Sequence, residues 1–207
     1  PQLALPNYEG WGYAEVRLDD VSMNTIINDS ALLSISDPLM RSMVWTALFD
    51  ALGNAQMDKN QLLAFLVTNM PFETNDRIIR QTLSELVSNL NHLERLGDRF
   101  TFQLTTYSNA AEELLWDLIS RGVIAGADAQ SESTLNLRLR YYRGIARSDT
   151  ALDNLNGLLN DQVTVPGLNI GQGSRWDIIN RLAERNYPNI RDLISDEQAR
   201  DPSDAGR

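Results

Sequence analysis

The sequence predicts an all-α protein, and three observations carry that expectation. From Asp20 to about Arg200, apolar residues recur at spacings of three and four, the period of a helix with one buried face. Short segments holding capping residues, Pro or Gly separate these runs. Each run is only roughly two to four turns long, too short to be stable alone, so the helices must stack on one another.

Residues 1–19 differ in kind. Leu3 to Pro6 and Gly12 to Leu18 alternate apolar and polar, which predicts one or two short strands around an Asn7–Gly12 turn. Asp20 is then placed to cap a helix running to Leu33. Asp37-Pro38 opens the next helix, with Leu39, Met43, Ala47, Leu48, Ala51 and Leu52 as its stripe and Gly53 closing it. Asp58 and Gln61 stand at capping-box spacing before Leu62, Leu63, Phe65, Leu66 and Val67, and Pro71 stops that unit. Thr74 or Asn75 caps a helix with Ile78, Ile79, Leu83, Leu86, Val87 and Leu90, ending at Gly97. Further helices are expected over 109–122, 135–144, 148–160, 174–186 and 189 to about 200, with 163–174 an ordered loop or short hairpin. Helix pairs recur about every 35–40 residues without a sharp residue-level repeat, so the expected architecture is an irregular α-superhelix of HEAT/armadillo-like pairs.

The 207 residues carry 18 Lys and Arg against 28 Asp and Glu, a formal net charge of −10, and are 43% hydrophobic. Phosphate binding needs a basic surface, so this balance argues against a nucleic-acid partner and an anionic membrane surface. No apolar run approaches the roughly 20 residues that span a bilayer, and residues 1–13 have no signal-peptide pattern. With no cysteine there is no disulfide, thiolate zinc site or cysteine nucleophile. A single histidine, His92, excludes an HExxH pair and a three-histidine zinc site within the chain.

His92, in NLNHLERLGDR, sits where a helix ends and meets the negative end of its dipole. No GxSxG elbow accompanies it, and GLNIGQG lacks the strand and the Lys–Ser/Thr pair of a phosphate loop. Glu112–Glu113 and Asp196–Glu197 read as acids near helix starts rather than as an acid–base pair. Asn28-Asp29-Ser30 matches a glycosylation acceptor without a secretion signal to support it. In LRLRYYRGIAR, Arg140, Arg143 and Arg147 fall at helical spacing with Tyr141 and Tyr142 between them, a stripe that suits an acidic partner, a peptide carboxylate, or a solvated face paired with local acids. Trp45, Trp116 and Trp176 lie within apolar stripes and are expected in the core; Trp11 borders the first turn.

Four stretches, in order along the chain, resemble one family. LPNYEGWGYAEVRLDD, residues 5–20, is similar to the end of the β-sandwich domain in M1-family zinc aminopeptidases of the aminopeptidase N group, where an N-x-x-G-x-G-Y turn precedes a strand and the helical domain. DPLMRSMVWTALFDAL, residues 37–52, resembles that family's early helical segment with its D-x-x-x-R and W-x-A-x-x-D patterns, and the Glu73-Thr74 step fits as well. YYRGIARSDTALDNLNGLL, VPGLNIGQGSRWDIINRLAERN and DPSDAGR resemble the second half of the C-terminal domain in bacterial, especially actinobacterial, members.

The resemblance implies that residues 1–19 end a β-sandwich domain and that 20–207 form a helical C-terminal domain, truncated at its C-terminus. It implies a parent enzyme that removes N-terminal amino acids from peptides, with zinc held in an earlier domain by HExxH and a downstream glutamate beside a GxMEN loop. None of these motifs occurs here, so no catalytic or metal residue and no cofactor is expected in this chain. The expected partners are the catalytic domain of the same polypeptide and, in the parent, peptide substrates, in the cytoplasm. The implied role is to cap the active-site chamber and restrict substrate access, with Arg140, Arg143, Arg147 and Arg175 as polar lining. The competing reading is an independent helical-repeat scaffold binding a protein partner; a small hydrolase built on His92 is a third.

Overall fold

The computed structural model of the chain describes residues 3–6, 16–28, 31–123 and 130–201. Among these the regular structure is helical, with no sheet, as the apolar periodicity predicts. The chain divides into two compact units, Pro1–Arg95 and Leu96–Arg207.

The first unit holds α1 (Asp20–Asn28), α2 (Ala31–Ser34), α3 (Pro38–Gly53), α4 (Lys59–Asn69) and α5 (Asp76–Arg95). Residues 3–6 and 16–19 form no strand, and 7–15 lie outside the described residues. A strand needs a ladder partner, whereas the Ala4 N–H donates to Ser22 Oγ at 3.0 Å. The expected helix from Asp20 to Leu33 is two helices, and its cap is Asp19, whose Oδ1 accepts from the Ser22 N–H at 2.7 Å.

Local capping elsewhere matches the sequence. Asp37 accepts from the Leu39 N–H, the Asp58–Gln61 box is reciprocal, and Asn75 Oδ1 accepts from the N–H groups of Arg77 and Ile78. The stripe of α3 is rotated from expectation: Val44, Trp45, Ala47, Leu48, Phe49 and Ala51 are buried, and Leu39 is exposed. Packing on two neighbours, α4 and α5, requires a broader apolar face than one stripe. Trp45 meets Phe65 of α4 edge-on, with ring centroids 5.1 Å apart.

The second unit holds α6 (Thr101–Ser120), α7 (Glu132–Ile145), α8 (Asp149–Leu159), α9 (Gln172–Glu184) and α10 (Ile190–Arg200). Helix α6 starts two turns before the expected Asn109. Its first turns expose Thr101, Phe102, Gln103, Thr105 and Thr106, so they carry no apolar stripe to read. α7 packs on α6 and α9, and α9 on α8 and α10. The core comprises Leu115, Ile119, Leu135, Tyr142, Leu155, Ile178 and Leu182, among others.

Residues 163–171 form a packed loop without a hairpin, and α9 begins at Gln172, two residues before the expected Ser174. The Val123 N–H donates to Pro166 O at 2.8 Å. Gly122, at φ +69°, passes so close that a Cβ would stand 2.5 Å from that carbonyl, so only glycine satisfies both the backbone angle and the space.

Candidate functional site

Helix α7 is anchored at Ser131, whose hydroxyl accepts from the Thr134 N–H at 3.1 Å. With Leu135, Leu139, Tyr142 and Ile145 facing inward, Arg140 is exposed and Arg143 half-buried. Arg143 Nη2 pairs with Asp177 Oδ2 of α9 at 2.8 Å. Burial pulls the Arg143 guanidinium below the usual arginine range; Asp177 opposes this and the charge of Arg140 adds to it. It stays protonated at neutral pH.

Beyond the helix end, Arg147 Nη1 donates to Ile145 O at 3.1 Å. From α9, Arg181 donates through Nε to Ala146 O and through Nη2 to Gly144 O, both at 2.9 Å. Guanidinium groups thus take carbonyls at the end of α7, where the dipole favours positive charge. Burial lowers the pKa of Arg181 first and Arg185 next; Glu184 opposes, and Arg147 lowers it further. The stripe Arg140, Arg143, Arg147 is therefore part of a larger basic cluster with Arg181 and Arg185. Sequence reading missed these two, because Arg181 lies 35 residues from its acceptor Ala146.

Arg175 belongs to a different constellation. It is 9% exposed, and its Nε lies 2.9 Å from both carboxylate oxygens of Glu197. Its Nη2 donates to Glu197 Oε2 at 2.8 Å and to Leu159 O at 3.0 Å, and Gln172 Nε2 donates to Glu197 Oε1 at 2.6 Å. Arg175 holds the Glu197 carboxyl below the usual glutamate range against the opposing effect of burial, with help from Gln172 and Arg200. A cleft of about 210 Å³ opens beside this pair, with Asp161, Asp196 and Arg200 also on its wall.

Neither acidic pair sits at a helix start, contrary to the sequence expectation. Glu112 and Glu113 lie midway along α6, and Asp196 and Glu197 lie in the second half of α10. Glu112, 3% exposed, instead stabilises the start of another helix. Its Oε1 accepts the N–H of Arg147 at 2.7 Å and of Ser148 at 3.4 Å, and its Oε2 accepts the Ser148 hydroxyl at 2.5 Å. Ser148 Oγ in turn accepts from the Ala151 N–H at 3.1 Å, capping α8.

Beside Glu112 opens a cleft of about 140 Å³, walled by Glu113, Trp116, Tyr142 and Asn154. The Trp116 and Tyr142 ring centroids are 5.4 Å apart. Asn154 Nδ2 donates to Tyr142 Oη at 3.1 Å. Burial pushes the Tyr142 hydroxyl far up; Asn154 opposes this and the Glu112 charge adds to it, so the phenol stays neutral.

Trp45 is fully buried as expected, but Trp116 and Trp176 are half-exposed, and Trp176 Nε1 donates to Asp201 Oδ2 at 2.7 Å. Their indoles line surface clefts or reach polar partners, a placement that periodicity does not distinguish from core. His92 is exposed in the last turn of α5. Trp11, Asp29 and Ser30 of the glycosylation tripeptide, and 202–207 lie outside the described residues. Among the described residues no three His, Asp or Glu side chains gather as a metal site, and no helix is long and apolar enough to cross a membrane.

Two of the residues behind the resemblance meet in the first unit. Arg41 of the D-x-x-x-R pattern donates through Nε to Glu73 Oε2 at 3.0 Å and through Nη2 to Oε1 at 3.1 Å. Glu73 Oε1 also accepts from the Asn75 N–H at 3.0 Å, tying the start of α3 to that of α5.

The ERAP1-like C-terminal domain model matches residues 3–207. Over 185 residues, 88% of the chain, the sequence is 25% identical to aminopeptidase N of Streptomyces lividans, and the match spans 20% of that relative's length. With the family matched along nearly its whole length, the chain belongs to the ERAP1-like C-terminal domain family.

Proposed function

We propose that this chain is the non-catalytic C-terminal domain of a zinc-dependent aminopeptidase that removes N-terminal amino acids from peptides, and that it caps the active-site chamber and restricts which substrates enter. The family match along residues 3–207 carries the reading. The relative's name supplies the activity, and the 20% of its length matched here leaves ample chain for a catalytic domain in the same polypeptide.

The residues present do not fit a zinc site, since the chain has one histidine and its described acidic residues form no grouping of three. The metal therefore belongs to the catalytic domain, and this chain contributes enclosure. In this reading residues 1–19 complete the preceding β-sandwich domain, and the enzyme is cytoplasmic and acts on peptides, not nucleic acid. The basic cluster at the end of α7 lines the chamber, where guanidinium groups suit a peptide's carboxylates. Exposed Arg140 meets substrate directly, Arg143 and Arg147 add positive charge behind it, and Arg175, clamped by Glu197, shapes the lining from beneath.

The test is the intact mass and zinc content of the native polypeptide carrying this sequence, followed by Arg140→Glu in that enzyme. A product several times heavier than this chain, holding zinc and cleaving aminoacyl substrates, is expected. Charge reversal should raise KM for longer peptides about tenfold while leaving kcat on a small aminoacyl amide unchanged. A native chain that begins near Pro1 and holds no metal would overturn the reading in favour of a partner-binding scaffold.

A further inference from the structure

We infer that the cleft between α6, α7 and the start of α8 is a binding site for an organic cation, an alkyl guanidinium or alkylammonium group. Three independent features of its wall converge. Glu112 is 3% exposed, and every donor it meets is neutral: two backbone N–H groups and the Ser148 hydroxyl. Among the described residues no Lys or Arg pairs with it, and none lines the cleft. Exposed Glu113 adds a second carboxylate at the rim.

The second feature is aromatic. Trp116 and Tyr142, with centroids 5.4 Å apart and planes tilted by 31°, both line the cleft, and aromatic rings attract cations. Tyr142 stays a neutral phenol because it is buried and its oxygen is engaged by Asn154, so the wall keeps this character across physiological pH. The third feature is size: about 140 Å³ accepts a planar guanidinium or an ammonium with a few methylenes, and excludes a folded chain. An anion would meet two carboxylates and no basic side chain, and a purely apolar ligand would add nothing to the neutral hydrogen bonds that already hold Glu112. The inference stands apart from the aminopeptidase reading, because it concerns this chain's own surface and needs no zinc.

The test uses the whole chain and follows tryptophan fluorescence and calorimetry during titration with three probes. N-acetyl-argininamide presents the cation as a peptide side chain does, agmatine presents it as a free amine, and N-acetyl-citrullinamide is the neutral isostere. We expect one or both cations to bind in the millimolar range or tighter, with affinity falling as salt rises, and the citrulline compound to bind about tenfold more weakly or not at all. Preference for argininamide assigns the ligand to peptides, and preference for agmatine assigns it to free amines.

Glu112→Gln removes the anchor of α8 and risks unfolding, so the deciding variants are Glu113→Gln and Trp116→Leu, both away from that anchor. Each should weaken cation binding several-fold with an unchanged helical circular dichroism spectrum. The inference fails if the citrulline compound binds as well as the cations, if neither cation binds, or if both variants bind like the parent.

Discussion

Replacing Glu197 by Ala should destabilise the second unit by about 3–5 kcal/mol, because it strands a guanidinium that has almost no access to water. Arg175 is 9% exposed and gives three of its close contacts to this carboxylate, keeping, among the described residues, only Leu159 O as a further acceptor. One carbonyl does not neutralise a buried charge, so the loss approaches that of breaking a buried ion pair rather than of removing one hydrogen bond. With a urea slope of about 2 kcal/mol/M, the midpoint should fall by about 1.5–2.5 M. The assay is urea unfolding of the whole chain followed by circular dichroism and by the fluorescence of Trp116 and Trp176, both in the second unit. Glu184→Ala is the internal control. That carboxylate also pairs with an arginine, Arg181, but is 64% exposed, so its loss should shift stability by no more than about 1 kcal/mol. The double variant Arg175→Met with Glu197→Leu removes both charges and should recover most of the loss. A Glu197→Ala effect as small as the control's, or a double variant equal to the sum of the singles, would refute the reasoning.

The same pair sets a pH dependence. The folded-state pKa of Glu197 is lowered, so its contribution is complete above the ordinary glutamate range and is lost as pH falls through the lowered value. The stability gap between the parent and Glu197→Gln should therefore narrow in urea titrations below about pH 4. Glu112→Ala orphans donors at the start of α8 and should lower stability by about 2–4 kcal/mol, more than the ~1 kcal/mol of an ordinary cap, measured the same way. In α8, a Cβ on Gly157 would stand 2.8 Å from Val163 Cγ2, so Gly157→Ala should destabilise by about 1–2 kcal/mol despite its better helix propensity. Adding Val163→Ala should relieve that clash and raise the thermal midpoint above that of Gly157→Ala alone. Ala55→Gly, at a left-handed φ of 56°, should stabilise by up to about 1 kcal/mol in the same unfolding assay.

What could be read from the sequence was local. The Asp58–Gln61 box, Asp37 with Pro38, Asn75 and Ser148 all act within three residues, and each caps where its spacing says it should. The first turns of α6 were not legible, because they expose Thr101, Phe102 and Gln103 and so show no buried stripe. The basic cluster was legible only in its α7 half, since Arg181 and Arg185 reach it from another helix. Trp116 reads as core by spacing because periodicity reports which face a residue is on, not whether a cleft opens there. The roles of the acidic residues were the least legible, because a carboxylate's partner lies on another element.

Those roles follow a common logic. Glu73, Glu112 and Glu197 are the buried acids of three clamps, with sequence separations of 32 to Arg41, 36 to Ser148 and 22 to Arg175. Each clamp ends at a helix terminus: the starts of α3 and α5, the start of α8, and the last residue of α8, where Leu159 O receives Arg175. Apolar stripes of short helices tolerate sliding by one ridge with little change in buried area, since their contacts are non-directional. A carboxylate that must meet specific N–H groups does not tolerate it, because a displacement of one turn leaves charge and donors unpaired in the interior. The buried glutamates thus fix register where the apolar pattern leaves it open.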